Sequence, residues 1–282
     1  MTLARLAHLS DIHFGGEHPE AAEAAIEAAH AFAPDVTVVT GDVTLNGLPS
    51  EFEAAAAWLA RLPLPRLVTP GNHDTPYWNL PLRALVPFDR FRRHIGAPDE
   101  AAFDSAALSV RCLNSARGAQ PRADWSKGAI GLGRLQGVIS ELCGNAAGLR
   151  VFACHHPLVE VSGAPVTGGV HRGAAAALAL AEGEIDLILT GHVHNPFAVV
   201  LPFGDHLTYA VGAGTLSQRT RGTPPGLSLL TIDSGCVRIA ALGWTGTEFE
   251  TVQTWTLPRR QRAGIDHDFG ETGGTSPAAA AS

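Results

Sequence analysis

Aspartate, histidine and asparagine recur in short clusters along the chain: Asp11-Ile12-His13, Gly41-Asp42, Gly71-Asn72-His73-Asp74, His155-His156 and Gly191-His192-Val193-His194. Carboxylate, imidazole and amide oxygen form the donor set of hard and borderline cations such as Mn, Fe, Co or Zn. Thiolates that would mark a softer site do not cluster. Cys112, Cys143, Cys154 and Cys236 lie far apart and read as small buried hydrophobes in a reducing compartment. Taken singly, each cluster is a common chance pattern. Their combination is not explained by unrelated turn residues and core histidines. Alternation in Asp11-Ile12-His13 and His192-Val193-His194 sends both polar side chains the same way if the backbone stays extended. A carboxylate bridging two cations would hold them about 3.5–4 Å apart, the separation that suits in-line displacement at phosphorus.

Each cluster falls where a predicted strand ends. Strands are expected at 3–9, 36–40 and 66–69, separated by helices at 20–32 and 49–61, the second opened by Pro49-Ser50-Glu51. This βαβαβ order implies parallel strands covered by helices. The carboxyl ends of parallel strands share one sheet edge, so the clusters should converge on one rim. Glycines before Asp42, Asn72 and His192 permit tight turns directly after the strands. The segment at about 75–105, with Pro76, Tyr77, Trp78 and the basic run Arg90, Arg92, Arg93 and His94, suits a helical cap or insertion. Strands are then expected at 108–113, 149–154 and 185–190, with helices at 132–142 and 173–181. Short strands near 197–201, 207–211, 226–232, 236–242 and 249–256 suggest a mostly antiparallel second sheet. A single domain is read over 1–258, followed by a low-complexity Gly/Ala/Ser/Pro tail at 259–282 that reads as disordered.

With 282 residues, 45% hydrophobic and 17% charged, the chain has the composition of a globular protein. A formal net charge of -7 argues against a protein that coats nucleic acid. It does not argue against a small anionic substrate, because bound cations invert the field of an acidic site. No charged segment followed by an apolar run opens the chain, and no apolar stretch reaches the roughly 20 residues of a membrane helix. A cytoplasmic protein without a membrane span is the expectation.

The order of the clusters, D-x-H, G-D, G-N-H-D, H and G-H-x-H, resembles the calcineurin-like metallophosphoesterase superfamily over roughly residues 5–245. The resemblance implies an α/β fold, a four-layer αββα sandwich of two facing mixed β-sheets. It implies two divalent or trivalent metal ions (Mn, Fe, Zn or Co), one held by Asp11, His13, Asp42 and His194. Asp42, Asn72, His155 and His192 would hold the other, with Asp42 bridging. His155 is preferred over His156 because it sits directly at the strand end, which leaves His156 a supporting role. The cations would acidify a water enough to supply hydroxide near neutral pH. Asn72 and His73 would touch the substrate, His73 contacting phosphate or aiding the leaving group. Some relatives carry an acidic residue three positions after the bridging Asp, where it orients this histidine. Here Leu45 stands there, with Asn46 beside it. His8, His18, His30, His94, His171, His206 and His267 fall outside the pattern and read as surface or core residues, with His171 and His206 in loops that could reach the rim.

The substrate is less legible. Leu113-Asn114-Ser115 and Gly212-Ala213-Gly214-Thr215 resemble the branch with bacterial cyclic-nucleotide and glycerophosphodiester phosphodiesterases, so a small phosphodiester is the leading reading. A nucleotide-sugar diphosphate hydrolase of the lipid A type is the alternative, permitted by Leu80, Leu82, Leu85, Val86 and Phe88. A non-catalytic metal-binding scaffold would require lost ligands, and every expected ligand is present. Arg117, Arg122, Arg219 and Arg221 are candidate phosphate contacts, and Tyr77 and Trp78 are read as packing a cap onto the sandwich rather than stacking a base.

Overall fold

The computed structural model describes residues 2–99, 101–121, 124–160 and 169–262. In chain order the first half contains β1 (Thr2–Leu9), α1 (Pro19–Phe32), β2 (Val36–Val39), α2 (Pro49–Leu59), β3 (Arg66–Val68), α3 (Leu80–Leu85), α4 (Asp89–His94), β4 (Ala102–Asp104) and β5 (Leu108–Cys112). The second half contains α5 (Leu132–Gly144), β6 (Leu149–Ala153), α6 (Gly173–Glu182), β7 (Leu187–Thr190), β8 (Phe197–Val200), β9 (Tyr209–Gly212), β10 (Gly226–Asp233), β11 (Cys236–Trp244) and β12 (Phe249–Pro258).

β1 is apolar on both faces, with Ala4 and Leu6 on one and Ala7 and Leu9 on the other. Such a strand needs a partner on each edge and cover above and below. One edge pairs in parallel with β2, and β2 in turn with β3, as the βαβαβ reading requires. The other edge pairs antiparallel with β10, followed by β11 and β12. The first sheet therefore runs β12-β11-β10-β1-β2-β3, and the second runs β4-β5-β6-β7-β9-β8. In the second sheet β5, β6, β7 and β9 are parallel, with β4 and β8 as antiparallel edges.

The late strands thus do not form an antiparallel sheet of their own. β10 shows why: Leu230 and Ile232 face the core between the sheets, while Leu227 and Leu229 pack against the helical layer. A strand that must be covered on both faces belongs beside β1, inside the first sheet. β9, buried along its length, lies inside the second for the same reason.

Leu6, Val38, Val110, Val151, Leu189 and Ile239 meet between the two sheets. Phe52 and Trp58 of α2 and Phe91 of α4 close the outer face of the first sheet. Leu135 and Leu142 of α5 with Leu180 of α6 close the outer face of the second. Each such side chain contributes about 1.5–3 kcal/mol when fully buried. The result is the expected four-layer α/β sandwich of two mixed sheets. No helix among the described residues is long and apolar enough to cross a membrane.

Residues 259–262, assigned to the tail from sequence, are instead part of the domain. Arg259 donates to the carbonyls of Asp233 and Gly148, joining the ends of both sheets. Arg260 grips Asp205 through Nε and Nη2 and reaches Asp186 through Nη1, while Arg262 holds the other oxygen of Asp186. These acceptors are distant in the chain, so an arginine-rich run reads as solvated until the fold assembles them. Residues 263–282 lie outside the described residues.

A chain ended at Pro258 should lose stability relative to one ended at Arg262. Removing the partners of buried Asp186 costs on the order of 3–5 kcal/mol. Urea unfolding of the two forms reads the difference, and equal midpoints would contradict the clamp.

Candidate metal centre

The loops that follow β1, β2, β3, β6, β7 and β9 all open at the same end of the sandwich. Their backbones are interlaced: Asp11 N donates to Gly41 O at 2.9 Å and His13 N to Asp42 O at 3.0 Å. Asp11, His13, Asp42, His192 and His194 have φ of 55°, 54°, 50°, 69° and 64°. The extended backbone expected around Ile12 and Val193 is therefore absent. Asp and His are enriched among the few residue types that enter this left-handed region, at about 1–3 kcal/mol each. The outcome expected of alternation is still reached by these turns, because Ile12 and Val193 point into the outer cores while their neighbours face the site.

Two glycines are required by close approach. A Cβ on Gly71 would stand 2.1 Å from Asp42 Oδ1, and one on Gly191 would stand 1.8 Å from Ser10 Oγ. Asp74 ties the loops together. Its buried carboxylate accepts from Gly71 N at 2.8 Å, Thr44 N at 2.9 Å and Thr44 Oγ1 at 2.8 Å. Burial and the nearby Asp42 charge push its pKa up to about 7 against these hydrogen bonds. Asp74 was visible in sequence only as the end of a motif; its role as the loop anchor was not.

Around this frame the polar atoms face each other without donors. A carbonyl only accepts, so His194, whose Nδ1 meets Arg219 O at 2.8 Å, carries its proton there and leaves Nε2 bare. That Nε2 lies 3.1 Å from Asp11 Oδ1 and 3.3 Å from His13 Nε2. His13 is turned the same way by Thr44 O at 3.3 Å, and His155 by Thr40 O at 2.6 Å. His155 Nε2 then stands 3.3 Å from Asp42 Oδ2. Asp11 Oδ1, Asn72 Oδ1 and His155 Nε2 are buried with no hydrogen-bond partner. Lone pairs so arranged are satisfied by positive charge, and Nδ1–H to carbonyl is the usual setting of a ligating imidazole. The electrostatics show the same demand for positive charge: burial opposes protonation of His155, yet the Asp42 charge overrides it and lifts its pKa to about 9, so that without a cation a proton takes its place on Nε2. His13 and His192, with burial dominant, fall to about 3.

Donor atoms group as Asp11–His13–His194, Asp11–Asp42–His155, His13–Asp42–His73 and His155–His156–His192, each within 4.8 Å. Asp11 and Asp42 are shared between groups, so the donors suit adjacent cations. His156 is occupied on both ring nitrogens, by Ser115 Oγ at 2.8 Å and Ser126 O at 2.8 Å. His192 also donates its backbone N–H to Asp11 Oδ2 at 2.8 Å.

His73 N donates to Asp42 Oδ1 at 2.8 Å, and its ring Nδ1 meets Leu45 O at 2.6 Å. The backbone carbonyl of Leu45 thus orients the ring where no carboxylate is available. His73 Nε2 faces Arg219 Nη1 at 3.3 Å. Arg219 and Arg221 line a cavity of about 220 Å³ over Asp42, Asn72, His192 and His194. It adjoins a second cavity of about 620 Å³ bounded by His73, Tyr77, Trp78, Arg83, Trp125 and Arg219. Tyr77 and Trp78 are therefore exposed cavity walls, not packing between cap and sandwich.

Among the other candidates, Arg117 bonds its neighbouring carbonyl, Ala116 O, and Arg122 lies outside the described residues. His206 precedes β9 and so sits at the opposite end of the sandwich, while exposed His171 pairs its backbone with Gly128 and Ile130. Sequence reading did not single out Arg83, Asp124, Trp125, Ser126 or Lys127 as cavity residues. Their loop and short helix carry no periodic or ligand-like signal.

The calcineurin-like phosphoesterase family model matches residues 4–196. The chain belongs to that family, and its fold and His/Asp clusters make it a metal-dependent hydrolase. It is 25% identical over 222 residues, 70% of this chain and 75% of the other, to a protein of a Synechococcus strain named a probable cyclic nucleotide phosphodiesterase. An 80-residue stretch is 36% identical to a glycerophosphodiester phosphodiesterase of Enterobacter lignolyticus, covering 24% of this chain and 29% of that one. The solved structure of PhoD shares the fold at a TM-score of 0.63 and 12% identity, over 95% of this chain and 76% of that one.

Asp74→Ala should strip the acceptor from three buried backbone N–H groups, those of Val43, Thr44 and Gly71, at about 1–3 kcal/mol for each group left unsatisfied. Chemical unfolding of the metal-free protein measures the loss, and unchanged stability would contradict the anchoring role.

Proposed function

We propose that the protein is a dinuclear phosphodiesterase acting on a small phosphodiester, with a cyclic nucleotide as the favoured class. In this reading Asp11, His13, Asp42 and His194 hold one cation and Asp42, Asn72, His155 and His192 the other. The facing, donor-free lone pairs of Asp11, Asn72, His13, His155 and His194 are the observation that carries the assignment. The occupied ring nitrogens of His156 support His155 as the ligand.

Two such cations, when bound, supply Lewis acidity that generates a nucleophile from water near neutral pH and offsets phosphate charge. The chain's own groups do the rest. Asp42, tied to His73 N, keeps the loops after β2 and β3 in register at the reacting centre. Arg219 and Arg221 present guanidinium groups to the non-bridging phosphate oxygens, where charge-assisted donors stabilise developing negative charge. His73, its ring fixed by Leu45 O, turns Nε2 toward the leaving side beside Arg219.

A diester rather than a monoester is favoured by the second cavity, about 620 Å³ against about 220 Å³ above the donor atoms. It gives one ester arm a place to lie, with the rings of Tyr77, Trp78 and Trp125 as stacking surfaces. The relatives' names point the same way. An exposed apolar row, Leu80, Leu82, Leu85 and Val86, also suits a lipid-bearing nucleotide-sugar diphosphate, which makes pyrophosphate-linked substrates the second assay.

The metal-stripped protein reloaded with Mn should hydrolyse bis(p-nitrophenyl) phosphate faster than p-nitrophenyl phosphate. Asp42→Ala should lower the rate by at least roughly 100-fold, since loss of supporting groups alone costs 10–100-fold. Release of p-nitrophenolate reads both. Preference for the monoester would refute the diester reading, and full activity in Asp42→Ala would refute the site.

A further inference from the structure

Arg83 is unusual for a buried cation. The residue is 5% exposed, and it has no carboxylate partner among the described residues. Its Nε donates to Gly118 O at 2.8 Å, which fixes the plane of the guanidinium but supplies no negative charge. The centre of the group lies 5.9 Å from the Tyr77 ring and 5.6 Å from the Trp125 ring. Ring faces attract a cation without satisfying its N–H donors. Among the described residues neither Nη group has a hydrogen bond, and the residue lines the 620 Å³ cavity.

The other charges on that wall do not neutralise it. Asp124 Oδ1 accepts from Ser126 N at 3.0 Å and Ser126 Oγ at 2.6 Å, and its Oδ2 lies 3.9 Å from Lys127 Nζ. Arg219 is positive and turned toward His73. A guanidinium whose stem is buried and whose fork of donors opens onto a cavity is presented for an anion, and a planar anion meets such a fork with paired hydrogen bonds.

We propose that Arg83 is a specificity-determining residue that binds an anionic group, a carboxylate or second phosphate, on the non-reacting arm of the substrate. The proposal rests on the phosphodiesterase reading above and narrows it, away from a cyclic mononucleotide, whose one phosphate is the scissile group, to a small diester whose other arm carries a second anion. The scissile phosphate lies over the metal-ligand cluster, the arm crosses the aromatic wall of Trp78 and Trp125, and its terminal anion meets the two Nη groups of Arg83. The rings and Arg83 then recognise one object together: an ester arm with a flat body and an anionic end.

Binding separates this proposal from turnover. The metal-loaded protein is titrated with 4-carboxybenzylphosphonate and with its carboxylate methyl ester, neither of which carries a scissile phosphate ester. Quenching of Trp78 and Trp125 fluorescence gives both Kd values. The free carboxylate should bind at least tenfold more tightly than the methyl ester, and Arg83→Met should bring the two together. Arg83→Lys, which keeps the charge but not the fork, should retain part of the preference and controls for a disturbed cap. Equal affinities in the natural sequence, or a preference that survives in Arg83→Met, would overturn the subsite. If neither phosphonate binds the loaded protein, the phosphate site itself fails, and this subsite with it.

Discussion

Everything at the rim depends on one electrostatic constraint: lone pairs from distant parts of the chain are brought within 3.1–3.8 Å of each other with no donor between them. Left alone, such a cluster repels itself and opposes folding. It is tolerable because backbone carbonyls at Thr40, Thr44 and Arg219 take the Nδ1 protons, turning every Nε2 toward one point where positive charge is rewarded. The left-handed residues at 11, 13, 42, 192 and 194 belong to the same solution.

The sandwich exists to hold those loops against each other. β1 and β2 lie in one sheet and β6, β7 and β9 in the other, yet their following loops hydrogen-bond across the gap, as when His155 reaches Thr40 O and His192 N reaches Asp11. The core between the sheets fixes that separation, and the arginine clamp at the opposite end ties the same two sheets together. Cap and cavity are less constrained. α4 is anchored by Phe91, whereas α3 leaves Leu85 and the neighbouring Trp78 exposed beside the pocket. Variation there would alter the substrate without disturbing the metal-ligand frame.

The convergence of the His and Asp clusters was legible because these residues recur at strand ends, where chain order alone predicts it. The preference for His155 followed from the same logic, and both ring nitrogens of its neighbour His156 have hydrogen-bond partners. Sheet membership of the late strands was not legible, since β10 looks like any short apolar strand until both its faces are known to be covered. The roles of Asp74, Arg83 and Arg260 were hidden for a related reason. Each is defined by partners far away in sequence, and a lone charged residue among loop residues carries no sign of burial. Leu45 shows the opposite case: a side chain that seemed to remove an orienting group sits on a backbone whose carbonyl supplies one.

Anomalous diffraction from crystals grown with Mn tests the central claim most directly. The account predicts two peaks about 3.5–4 Å apart on either side of the Asp42 carboxylate, one against His13 and His194 and the other against Asn72, His155 and His192. A single peak, or a second ion bound by His156 with Asp42 on neither, would contradict it.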